Sequence, residues 1–154
     1  MFNVKKLAFG AAMLAASAVC FAAPKVEIVT SEGNIVVNLN EKAAPTTVAN
    51  FVKYAKEGFY NGTIFHRVIN NFMIQGGGFD RNLHQKSTHA PIKLEDKNGL
   101  KNTVGTIAMA RTNNPDSATS QFFINLKDND FLNGTSTKDG YAVFGALVTR
   151  MAVV

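Results

Sequence analysis

Cysteine, tryptophan and acidic charge are all scarce in this chain of 154 residues, which has one Cys, no Trp and 11 Asp and Glu against 16 Lys and Arg, a formal net charge of +5. A lone Cys20 excludes an intramolecular disulfide framework and any thiolate-rich metal site. Charged residues make up only 18% of the chain and hydrophobic ones 46%, which excludes a solvated disordered tail. The 12 glycines follow no period, so collagen-like repeats are excluded too. Length and composition then point to a single globular domain.

The shortage of acid is absolute at the start, where the first 23 residues contain no Asp or Glu. Lys5 and Lys6 precede an uncharged, Ala-rich run from Leu7 to Ala23, the three-part layout of a secretory signal peptide. The run is short for a membrane span of about 20 residues. Small residues at Cys20 and Ala22 predict cleavage after Ala22, giving a signal peptide over 1–22 and an exported domain over 23–154, with no membrane anchor after cleavage. Bulky Val19 disfavours lipid attachment at Cys20. Removing 22 residues leaves 132, no Cys and a charge of +3. No window of that remainder interleaves clustered Lys and Arg with aromatics, so nucleic acid is not an expected partner.

What the chain does have is β-branched and aromatic runs. Segments 25–30 and 34–39 alternate around a Ser31-Glu32-Gly33 turn and predict a hairpin. Pro45, followed by Val48, Phe51, Val52 and Ala55 at helical spacing and then Gly58, predicts one amphipathic helix. Short strands are predicted at 63–68, 71–75, 104–110, 120–126 and 141–148. Stretches 76–103 and 111–119 read as irregular. One helix among several short strands suggests a closed or nearly closed antiparallel barrel.

The familiar catalytic constellations are missing. His66, His84 and His89 are not spaced with carboxylates as metal ligands, no GxSxG elbow occurs, and Gly76-Gly77-Gly78 lacks the Lys-Ser/Thr of a phosphate loop. Neither a metal nor a cofactor is expected. Aromatic, thioether, amide and guanidinium groups concentrate instead in 65–78 and 120–125. By composition these are core strands first of all, since aromatic stripes usually pack. Arg67 and Gln75 fit that reading poorly, because an unpaired guanidinium or amide in an apolar run is costly unless it faces a cleft or a partner.

Segments FHRVINNFMIQGGGF (65–79), GTIAMAR (105–111), SATSQFFIN (117–125) and GYAVFG (140–145) together resemble the cyclophilins, the peptidyl-prolyl cis/trans isomerases, and most of all the bacterial periplasmic ones. The resemblance runs in order from about Lys25 to about Val148. It implies a mainly β fold: an eight-stranded antiparallel barrel with capping helices and an external groove that grips proline. It implies catalytic roles for Arg67, Phe72, Gln75 and Phe123. Substrate contacts are implied at Met73, Ala110, Arg111, Gln121, Phe131, Leu132 and Tyr141. His66 also matches, but neighbours Arg67 on a strand and so is expected on the opposite face in a structural role.

The implied partners are proline-containing segments of unfolded exported proteins, met by a monomer in the periplasm. Phe131 stands where many eukaryotic members have Trp, Tyr141 where many have His, and Arg111 where many have Asn. The family pattern continues beyond GYAVFG with a second helix and a last strand that pairs with the first, whereas this sequence ends at Val154. The expectation is a barrel lacking those elements, with an open edge at 25–30. That leaves two alternatives to turnover: a proline-segment binding chaperone, or an inactive fragment.

Overall fold

The computed structural model describes residues 22–148 together with Met151 and Val154. The predicted signal peptide, apart from Ala22, lies outside the described residues. Among the described residues, seven strands and one α-helix follow in the order β1 (Lys25–Thr30), β2 (Gly33–Leu39), α1 (Pro45–Lys56), β3 (Thr63–Ile69), β4 (Met73–Asp80), β5 (Thr106–Met109), β6 (Phe122–Asn125) and β7 (Val143–Leu147), with a 3-10 turn at Asp130–Leu132 before β7. All pairings are antiparallel, in the spatial order β1-β2-β7-β5-β6-β4-β3. The result is a curled, mainly β half-barrel with β1 and β3 at its edges among the described strands.

The alternation of side chains along each strand divides the sheet into two faces. On the concave face, Ile74 pairs with Ile124, Ile124 with Ile107, Ile107 with Gly145, and Gly145 with Leu39. Ile74, Ile124, Ile107 and Leu39 pack with Ile35, Val37, Met109, Phe122 and Phe144 into the main core. Helix α1 closes one side of that core with Val48 and Phe51, the spacing that the sequence predicted. Phe51 touches Phe144, Phe122 and Tyr60 with ring centroids 5.1–5.5 Å apart.

Strands β4, β5 and β6 are buried on their convex side as well, so their residues read as buried almost without break. The cover comes from Leu132 and Tyr141 between β6 and β7, together with Phe72 and Leu100. One sequence expectation is corrected here: β4 continues through Gly76, Gly77 and Gly78 to Asp80, where irregular structure was predicted from residue 76. The glycines permit it. A Cβ on Gly77 would lie 2.8 Å from the Phe122 ring, and one on Gly76 2.9 Å from the Ile64 carbonyl, so only bare backbone can pass between β3 and β6 at that density.

Candidate active site

One residue from each of five neighbouring strands faces outward in a single cross-strand row. Arg67 on β3 pairs with Gln75 on β4, Gln75 with Phe123 on β6, Phe123 with Ala108 on β5, and Ala108 with Val143 on β7. A polar end therefore runs into an apolar one along the convex surface. At the apolar end Met73, Ala108, Phe123, Leu132 and Val143 form a second buried cluster, separate from the main core, with Phe72, Leu100, Ala110 and Tyr141 packed against it.

Local backbone geometry places the outer members. The turn joining β3 to β4 bonds the Phe72 N–H to the Ile69 carbonyl at 3.1 Å, with Asn71 at φ 61°, a left-handed conformation that asparagine tolerates. The same turn sends Phe72 over the cluster. Its ring stacks on Phe131 at 5.6 Å, and Phe131 remains 59% exposed, leaving one face of the pair open to a ligand. Tyr141 meets the edge of Phe123 at 5.6 Å.

At the polar end Arg67 is exposed and Gln75 half-buried. The Arg67 Nη1 donates to Gln75 Oε1 at 3.4 Å, and Gln75 Nε2 donates to Gln121 Oε1 at 2.9 Å. This relay orients a guanidinium, a planar fork of five donors, beside the apolar pocket. His66 turns the other way onto Phe79, with centroids 4.5 Å apart, and has no hydrogen-bond partner on its buried Nδ1. Burial first, and the Arg67 charge second, hold its imidazolium form below the usual histidine range.

Arg111 reaches the site indirectly. Its guanidinium donates to the carbonyls of Gly140, Thr112 and Asp139 and sits 4.7 Å from the Tyr141 ring, so it braces the rim and has little left to offer a ligand. All eleven residues singled out from the sequence thus fall in one region of the convex surface. Sequence reasoning missed Ala108, Val143 and Leu100, which carry no chemical label of their own and enter through strand register. A cavity of about 740 Å³ elsewhere, between residues 22–24, the end of β2, β7 and the 99–103 segment, holds none of the row's polar members. Among the described residues no three His, Cys, Asp or Glu side chains gather as metal ligands.

Comparison with known proteins gives one consistent answer. Residues 25–154 match the family model described as cyclophilin type peptidyl-prolyl cis-trans isomerase/CLD. The chain is 57% identical over 151 residues to a peptidyl-prolyl cis-trans isomerase of Acinetobacter baylyi, covering 98% of this chain and 80% of that protein. It is 60% identical over 128 residues to peptidyl-prolyl cis-trans isomerase B of Escherichia coli, covering 81% and 78%. Among solved structures, a cyclophilin type peptidyl-prolyl cis-trans isomerase of Cryptosporidium parvum, crystallised in the presence of the dipeptide Ala-Pro, superposes with a TM-score of 0.71 at 28% identity, covering 84% of this chain and 82% of that one.

Proposed function

This chain belongs to the cyclophilin family of peptidyl-prolyl cis-trans isomerases, and from that premise we propose that it turns X-Pro bonds in the convex groove, with Arg67 as the donor to the twisting amide. Rotation about an amide is opposed by a barrier of about 18–20 kcal/mol. Both isomers are populated only when proline follows, so the reaction needs no bond broken. It needs a surface that binds the twisted amide better than either planar form. As the amide twists, the nitrogen lone pair localises and can accept a hydrogen bond.

The observation that carries the reading is the polar-to-apolar row. Phe72, Met73 and Phe123 would hold the pyrrolidine ring, with Leu132 and Phe131 at the far wall, and Arg67 would donate to the ring nitrogen. Gln75 accepts from the guanidinium at 3.4 Å and is itself held by Gln121, to which it donates at 2.9 Å. Lowering the barrier by about 7 kcal/mol would raise the rate by roughly five decades, since each 1.36 kcal/mol is tenfold. Preorganised donors in a fixed frame supply effects of that order.

Measuring cis/trans exchange in a short X-Pro peptide tests the role of Arg67. Arg67→Ala is expected to slow the catalysed exchange about 100-fold, the typical loss for one donor to developing charge, with a smaller change in KM. An unchanged rate in that variant overturns the mechanism.

The substrates fitting this groove are proline-bearing segments of unfolded polypeptides. Lys5, Lys6 and the uncharged run that follows support export to the periplasm, where the enzyme would act as a monomer on newly translocated chains. Fractionation of the producing cells with N-terminal sequencing of the product tests this. A product retaining Met1 and remaining in the cytoplasm sinks the export reading.

A further inference from the structure

Beneath the groove three asparagines form one hydrogen-bonded ladder. Asn102, Asn125 and Asn129 are at most 1% exposed. The Asn129 Nδ2 donates to the carbonyl of Phe72 at 2.9 Å and to Asn125 Oδ1 at 2.8 Å. Asn125 Nδ2 donates to Asn102 Oδ1 at 3.1 Å and to Thr106 Oγ1 at 2.9 Å. The two N–H groups on Asn102 Nδ2 are shared among the carbonyls of Leu132 and Tyr141, each at 3.3 Å, and Asn133 Oδ1 at 3.1 Å. The ladder therefore begins at the backbone of one pocket wall and ends at the backbones of two others.

An amide buried in a sheet protein is costly unless it is paired, and apolar residues fill the concave face of this sheet without that cost. What amides can do and apolar side chains cannot is hold backbone carbonyls at fixed positions. Phe72 lies on the β3–β4 turn, Leu132 on the 3-10 turn, and Tyr141 on the approach to β7. Apart from the ladder, the Phe72 carbonyl has one further donor, the Leu126 N–H at 3.0 Å.

We infer that Asn102, Asn125 and Asn129 are positioning residues that set the separation of the Phe72 wall from the Leu132–Tyr141 wall, and so the fit of the proline ring. The inference rests on the groove being the proline site, as argued above. Because the ring is held in the planar and twisted forms alike, wall spacing acts on binding more than on the turnover step.

The experiment is Asn129→Ala, which removes the donor to Phe72 and leaves the Leu126 N–H in place. Affinity for a proline-containing peptide, measured by titration well below the melting temperature, is expected to fall about tenfold, a modest loss for displaced binding groups. KM should rise by a similar factor and kcat should change less. The loss should persist in an Arg67→Ala background and vanish in a Phe72→Ala background, where the wall being positioned is gone. If Asn129→Ala does not fold, Asn129→Ser, which keeps one donor, takes its place with the same expected directions. A lower melting temperature with unaltered affinity and KM overturns the inference, as does an equal loss in the Phe72→Ala background. A full rate in Arg67→Ala alone strikes the catalytic reading instead and leaves the ladder standing.

Discussion

Gly78 illustrates how a residue without a side chain can govern one that has it. A Cβ at this position would lie 2.5 Å from Gln121 Cγ, 2.7 Å from Cδ and 2.8 Å from Nε2. The obstructing group is the middle and end of a flexible side chain, so an added methyl would push Gln121 aside without disrupting backbone. The contact at risk is the 2.9 Å bond from Gln75. Gly78→Ala is therefore expected to lower kcat several-fold, by about the loss of one net hydrogen bond, with little change in melting temperature. In a Gln121→Ala background the same substitution should have no further effect, and a double-mutant cycle of exchange rates measures this directly. Equal losses in both backgrounds would show that Gly78 acts on something other than Gln121.

At the scale of elements, α1 shows what local sequence can and cannot reveal. Pro45 at the first turn, the Val48–Phe51–Val52–Ala55 stripe and Gly58 at φ 69° are all local signals, and the observed helix follows them. Its N-terminal cap is not local. No cap comes from Ala44, and the first turn contains no acid. Instead Glu95, some fifty residues on, accepts from the Thr47 N–H at 2.7 Å, the Thr46 N–H at 3.3 Å and the Thr47 hydroxyl at 2.6 Å. This carboxylate meets both the free N–H groups and the positive end of the helix dipole. Glu95→Ala is expected to cost about 1–2 kcal/mol, the range for losing a good cap, read from the shift in urea midpoint at constant slope. A midpoint shift indistinguishable from zero would mean that Thr46 and Thr47 find other acceptors.

The other elements divide the same way. The hairpin of β1 and β2 and the strands β3, β5, β6 and β7 were legible from β-branched and aromatic runs between turn residues. The extension of β4 was not, because three consecutive glycines carry no propensity for a strand and the cause lies in the close approach of Phe122 and Phe65 from neighbouring strands. The site was legible through its motif residues, Arg67, Phe72, Gln75 and Phe123 among them. Its supports were not, since Asn102, Asn125 and Asn129 read locally as loop-forming residues and become a ladder only when β5, β6 and the following turn converge.

Over the whole molecule, one sheet separates two apolar clusters. The concave cluster with α1 provides the larger core, and the convex cluster lines the groove. Stability and substrate fit thus depend on different sets of side chains. Phe51, 1% exposed and surrounded by Tyr60, Phe122 and Phe144, belongs to the first set alone. Phe51→Ala is expected to cost about 3–5 kcal/mol of folding stability, measured by chemical denaturation. At temperatures where the variant remains folded, kcat/KM should stay within about threefold of the parent, as for distant sites that share no partner. A large loss of kcat/KM in fully folded protein would show that the two faces are mechanically coupled through the sheet.

The row Arg67–Gln75–Phe123–Ala108–Val143 draws one residue from each of five strands, and its members are brought together by pairings that span much of the chain. No single hairpin of the sheet contains it. During refolding from denaturant, a helix signal can return as soon as α1 forms, while catalysis must wait for β7 to dock beside β5. Recovery of isomerase activity is thus a clock for the long-range closure of the sheet rather than for the return of its local structure.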